Sequence, residues 1–175
     1  STTRRLLQEE LDAGYVVQFL GDLDQARSIY GDLLAVGKLG LAVAAGRDTR
    51  LVLDTTSSGV TPGVFTEEKP QYPSPFCMSE FMQSELPTSS NQYRGLIIDV
   101  NKAHKRIRLH PSEMGLSFFE FENTLYHYVV CHFGGAWSAY WWARLSALLH
   151  RRCHQLVSGE PFGAIFYDDW FWHLV

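Results

Sequence analysis

Three carboxylates carry the most chemistry in this sequence. Asp99 closes the apolar run GLIID, and Asp168 with Asp169 closes GAIFYDD. Adjacent like charges at a strand end raise one another's pKa unless water or a cation offsets them. The pair alone is therefore either a solvated turn or part of a metal site. If the strand ending at Asp99 lies beside the one ending at the pair, three carboxylates come within a few Å of one another. An all-oxygen donor set of that kind selects Mg²⁺ or Mn²⁺ over zinc. Nitrogen and sulfur donors occur elsewhere: His150, Cys153 and His154 at i, i+3, i+4 in HRRCHQL, and His127 and Cys131 on one face of HYVVCH. No zinc-type spacing joins these two groups, and a basic helix end favoured by the helix dipole accounts for the first. NKAHKRIRLH concentrates Lys102, His104, Lys105, Arg106, Arg108 and His110, either as a phosphate-binding segment or as a solvated basic turn. Trp137, Trp141, Trp142, Trp170 and Trp172 either stack on bases or fill a core.

The elements that must position these residues follow from periodicity and turn chemistry. RRLLQEELDAG has apolar residues at helical spacing with Gly14 as a stop, and DLDQARSIYG repeats the arrangement with Asp22 as N-cap and Gly31 as stop. YVVQFL between them reads as a short strand. LLAVGKLGLAVAAGRDTRLVLDTT reads as an antiparallel ribbon turning at AAGRDT, with basic residues at its tip. From Thr61 to Tyr93, Pro62, Pro70, Pro73, Pro75 and Pro87 exclude long regular structure, PFCMSEFMQSE excepted. GLIIDV is then a buried strand, LSFFEF and LYHYVVCHF flank ENT as a hairpin, SAYWWARLSALLHRRCHQL is the strongest helix, and GAIFYDDW is a last strand. The order predicts an α+β fold with a mainly antiparallel sheet packed on helices. It also predicts three segments: 1–61, a Pro/Ser-rich connector over 62–93, and 94–175.

The 175 residues and their 46% apolar content suit one domain, or one domain with a small lobe. Fifteen Lys and Arg against nineteen Asp and Glu make the chain mildly acidic, which argues against coating nucleic acid by charge alone. Three cysteines without a CxxC argue against a disulfide framework and for an intracellular, reducing compartment. No apolar run approaches the ~18 residues of a membrane span, and STTRRLLQEELDAG lacks the apolar centre of a secretory signal.

In order and at fitting intervals, GLIIDVNKAHKRI, CHFGGAWSAYWW and AIFYDDW resemble the first three palm motifs of reverse transcriptases. GRDTRLVLDTTSSGVT is similar to the family's fingers segment. The resemblance runs from about Leu11 onward and is nearest to retrotransposon-type enzymes with Phe-Gly in the second motif. It implies a fingers-like segment over 1–61, a palm-like sheet over 94–175, and RNA-directed DNA polymerase chemistry by nucleotidyl transfer. Asp99 and Asp168 would be the metal-binding catalytic acids and Asp169 the adjacent, less essential one, together holding two Mg²⁺ or Mn²⁺ ions. Arg50 would contact the triphosphate, with Lys38 or Arg47 as a second cation. His104 falls where the family usually has Phe or Tyr against a ribose 2′-hydroxyl, and Gly134 would let template or nucleotide approach the backbone. Nucleic-acid template-primer and a deoxynucleoside triphosphate are then the implied partners.

Two positions depart from the family pattern: Ala139 stands in place of a Pro, and Thr56 in place of an Arg. Only Trp170 to Val175 follow the acid pair. The expectation is therefore that the later palm strands, primer grip and thumb are missing and that these residues alone hold a primer badly. The alternative is a non-catalytic polymerase remnant, needing no cofactor, that acts as a structural or accessory subunit. Protein partners in a larger assembly would then cover the truncated palm edge.

Overall fold

The first helix begins where the sequence supplies a cap. In a computed structural model describing residues 1–84, 94–156, 162–166 and 169–174, the Ser1 hydroxyl accepts from the Arg4 amide and opens α1 (Thr2–Asp12). Gly14 follows at φ 68°, turning the chain into β1 (Val16–Gln18). Asp22 opens α2 (Leu23–Tyr30) with a capping box, its carboxylate accepting from the Gln25 amide while Gln25 returns a bond to the Asp22 amide. Gly31 ends it at φ 55°.

β2 (Val36–Ala42) and β3 (Arg50–Asp54) form the expected ribbon, with Lys38 opposite Asp54 and Ala42 opposite Arg50. α3 (Val60–Gly63) and α4 (Pro75–Ser84) are the helices of the Pro-rich stretch. β4 (Arg94–Asp99) comes next, then β5 (Phe118–Phe121) and β6 (Thr124–Tyr128), joined through Glu122 and Asn123. Both turn residues have positive φ, 52° and 59°, the conformation of a two-residue turn that matches strand twist. α5 (Ala136–Leu156) is the long helix, followed by β7 (Phe162–Phe166) and β8 (Asp169–Leu174).

The result is an α+β fold dominated by antiparallel pairing. One sheet has the order β1-β6-β5-β2-β3, with a single parallel contact where Val36 and Gly37 meet Phe118 and Phe119. The other has the order β4-β8-β7, antiparallel throughout. The chain divides into two units, Ser1–Glu67 with His104–Ser138, and Glu68–Ala103 with Ala139–Val175. The expected segments followed chain order; these units interleave, and the β5–β6 hairpin groups with the N-terminal residues.

In the first unit, alternation gives the five-stranded sheet two apolar faces. Leu7, Val16, Leu51, Leu53, Phe119, Tyr128 and Val130 form one buried cluster under α1. On the opposite face Phe118 stacks on its register partner His127 and meets Phe19 and Tyr30 edge-on. In the second unit, α5 covers the face of the small sheet that carries Trp170 and Trp172. The Trp170 indole donates to Ser146 Oγ at 2.8 Å, and His150 and His154 lie against the Trp172 ring. Gly163 lies close to them, and a Cβ there would force the His150 ring to shift.

Candidate active site

The acids come together through strand register. β4 and β8 pair antiparallel so that Asp99 lies directly opposite Asp169, and Phe166 of β7 pairs with Asp169 from the other side. Directly opposed residues have Cα atoms roughly 4.5–5.5 Å apart and side chains on the same face, so the Asp99 and Asp169 carboxylates can share one ion. Both residues are exposed. The same alternation sends their neighbours Ile98 and Trp170 to the α5 side, which keeps the acids on the face away from the tryptophans. The sequence led to an expected turn at Asp168 and Asp169. The register makes Asp169 the first residue of β8, while Asp168 itself lies outside the described residues, as does the Phe166 side chain expected beneath α5. Among the described residues no group of three His, Cys, Asp or Glu is placed to hold a metal. Asp99 and Asp169 supply the two oxygen donors on which a divalent-ion site at this strand end would be built, a set that suits Mg²⁺ or Mn²⁺.

The other candidates all belong to the first unit. Arg50 is exposed at the start of β3, with its guanidinium 4.9 Å from the centre of the Phe133 ring. His104 meets the same ring edge-on at 4.3 Å, half-buried. Phe133 was not singled out from sequence; its place in the CHFGG run was the only signal. The loop carrying it is tied to β3, because the Leu53 amide donates to Phe133 O at 3.0 Å and the Thr55 hydroxyl to Gly134 O at 2.6 Å. Gly134 has φ 97°, and a Cβ there would sit 2.9 Å from the Leu53 carbonyl carbon. The close approach that demands glycine is therefore made by the protein's own strand. Lys38 shares a face of the ribbon with Arg50, roughly 13 Å further along the strand. Arg47 is exposed in the ribbon turn. Asp54, opposite Lys38, accepts from the Ser57 and Thr56 amides, and these bonds, with the Lys38 charge, hold its carboxyl below the usual range.

The basic segment after Asp99 divides. Lys105 is buried, 6% exposed, ion-paired with Glu10 and set over the Tyr15 and Phe133 rings. Arg106, Arg108 and His110 are exposed. Of the nitrogen and sulfur donors, His127 and Cys131 fall in the first unit and His150, Cys153 and His154 in the second. Burial pushes the Cys131 thiol up to about 11, which disfavours the thiolate that a metal would need, and pushes the His150 ring down, which keeps it neutral. Trp142, Trp170 and Trp172 are buried, leaving Trp141 as the exposed member of the tryptophan set.

A chain with this element order and this pair of sheets has a reverse-transcriptase-like fold. It is similar to the foamy viral protease-reverse transcriptase in complex with double-stranded DNA, at 14% identity and a TM-score of 0.61, over 96% of this chain and 29% of that one. The dRH form of the same viral protein, also in complex with double-stranded DNA, aligns at 14% identity and a TM-score of 0.60, over 98% of this chain and 26% of that one. The chain thus spans less than a third of the length of the viral proteins it matches. No protein-family model matches the sequence, and no curated protein is similar to it. Among the described residues no helix is long and apolar enough to cross a membrane.

Proposed function

We propose that this chain carries the acid site of a retrotransposon-type reverse transcriptase and takes part in template-directed nucleotidyl transfer. The observation that carries this reading is the register of Asp99 against Asp169 at one end of a three-stranded antiparallel sheet. Asp99, Asp168 and Asp169 would hold two Mg²⁺ or Mn²⁺ ions. When bound, such ions neutralise phosphate charge and lower the pKa of an attacking hydroxyl. The chain's own contribution is to keep the Asp99 and Asp169 carboxylates solvent-facing on strand ends. Arg50, steadied on Phe133, is the cation for a triphosphate, with Lys38 or Arg47 as a second. His104 beside Phe133 would contact the sugar. Template-primer and a deoxynucleoside triphosphate are the partners this reading requires.

Primer extension with Mg²⁺ or Mn²⁺ tests it, comparing the wild-type chain with Asp168→Asn and Asp99→Asn. Incorporation by the wild type that both substitutions abolish is the expected result. Equal incorporation by all three, or none by the wild type, removes the catalytic claim.

A second reading, an accessory subunit of a larger assembly, draws on the edge strand β4. Leu96, Ile97 and Ile98 are 45%, 69% and 41% exposed there, a run of apolar side chains on a strand whose outer edge has no partner among the described residues. A monodisperse monomer in light scattering, with no binding of an apolar dye, would count against that reading.

A further inference from the structure

In the second unit, the buried Trp172 ring lies against two histidines from successive turns of α5. His150 and His154 stand four residues apart, so their side chains share one face of the helix. Their ring centres are 4.8 Å apart, and 4.4 and 4.6 Å from the Trp172 ring. The nitrogens converge as well as the rings. A Cβ on Gly163, in the neighbouring strand β7, would lie 2.4 Å from His150 Nε2 and 3.1 Å from His154 Nε2. The two nitrogens are therefore no more than about 5.5 Å apart, the sum of those two distances.

His150 is 7% exposed, and its Nε2 has no hydrogen-bond partner among the described residues. Buried polar atoms nearly always have one. Packing on Trp172 explains why the rings are covered, but not why an unpaired Nε2 lies beside a second one. A shared ligand explains both. Imidazole nitrogen favours zinc and copper, whereas Mg²⁺ takes oxygen donors. Zinc holds such nitrogens at about 2.0–2.1 Å in a tetrahedral set, which places two of them roughly 3.3 Å apart. His154 is only half-buried, so rotation of its ring can close the distance to His150. The partial negative charge at the C-terminal end of a helix also favours a cation there. Among the described residues no group of three His, Cys, Asp or Glu is placed to hold an ion, so Cys153 is not a third donor and two tetrahedral positions stay open to water.

We propose that His150 and His154 form a two-imidazole site for Zn²⁺ near the C-terminal end of α5. The ion would join successive turns of the helix over Trp172 and strengthen the end of α5 that covers the small sheet. This site does not depend on nucleotidyl transfer, and its donors differ in kind from the carboxylates of Asp99 and Asp169.

The test is calorimetric titration of the full chain with Zn²⁺ in excess Mg²⁺, which competes for sites built from oxygen. One Zn²⁺ per chain is expected. At a free concentration about 100-fold above the dissociation constant, Zn²⁺ should raise the melting temperature by roughly 5–10 °C. His150→Gln and His154→Gln should each weaken binding by more than about 10-fold, the lower end of what loss of an outer-shell partner alone costs. Should the buried His150→Gln fail to fold, the half-buried His154→Gln decides the matter. Absence of Zn²⁺ binding in excess Mg²⁺, or wild-type affinity in His154→Gln, would overturn the proposal. A loss of affinity in Asp99→Asn or Cys153→Ser as large as that in His154→Gln would overturn it as well, by placing the ion on the acids or on the thiol.

Discussion

His132 is fully buried and makes the fold sensitive to acid in a calculable way. Its Nε2 lies 3.2 Å from Ser117 Oγ, its ring stacks on Tyr128, and burial, assisted by His104 and Lys105 nearby, pushes its pKa down from 6.5 to about 4. A histidine whose folded pKa is depressed is held neutral by the fold. Its contribution is complete above the unfolded value and is lost as pH falls from 6.5 towards 4. Linkage over that interval gives a loss of about 1.3 kcal/mol between pH 7.5 and 5.5, and about 2.5 kcal/mol by pH 4.5. Burial also lowers His127 and His150, which act in the same direction. The contribution of His132 is therefore isolated as a difference: urea denaturation of the wild type and of His132→Gln at intervals from pH 7.5 to 4.5, comparing slopes rather than absolute stabilities. The variant should be less stable at pH 7.5 yet lose about 2.5 kcal/mol less on acidification to pH 4.5. Parallel pH profiles for the two proteins would show that the buried imidazole is not held neutral, and the reasoning would fail.

Three further outcomes are expected. Gly134→Ala must adopt φ 97° with its Cβ against the Leu53 carbonyl, so its urea midpoint should correspond to a loss of at least about 2 kcal/mol; a loss within error of zero would mean that the loop does not press on β3. Lys105→Met leaves the Glu10 carboxylate buried without its cation, at a cost of about 3–5 kcal/mol, whereas Lys105→Met with Glu10→Leu should recover most of it; equal losses for the single and double variants in thermal melts would contradict this. Mn²⁺ binding, followed by the loss of its free EPR signal, should weaken in Asp99→Asn and Asp169→Asn by more than the roughly 10- to 100-fold expected for loss of an outer-shell partner, and wild-type affinity in both would separate the register from any metal.

The elements were legible where local chemistry determines them. Asp22 and Gly31 delimit α2 because a cap and a positive-φ stop are properties of single residues, and ENT forms a two-residue hairpin turn for the same reason. From the sequence, the strand ending at Asp99 was expected beside GAIFYDD; β4 instead pairs with β8, the strand that begins at Asp169, and GAIF forms β7 on the far side of β8, a choice of partner that two similar apolar runs do not encode locally. Strand partnership across the chain was harder to see. Nothing local told LSFFEF to lie parallel to Val36 and Gly37 in one sheet while GLIIDV joined another. Lys105 resembled its basic neighbours by type, and only Glu10, far away in sequence, separates it from Arg106. Gly134 illustrates a third limit: a glycine announces that something comes close, but not whether it is a ligand or Leu53.

β8 is the middle strand of the small sheet, and it is made last. β4 pairs with β8 and β7 pairs with β8, while β4 and β7 have no ladder with each other. During synthesis, β4 therefore leaves the ribosome with both edges unpaired and waits for residues 169–174, while the whole β5–β6 hairpin and α5 appear between them. At about 5–20 residues per second, the exposed run Leu96–Ile98 is without its partner for several seconds. The first unit, complete by Ser138, can close before then. Asp99 thus sits on a strand that gains its partner only when β8 emerges, and until then the chain presents an apolar edge instead of an acid site.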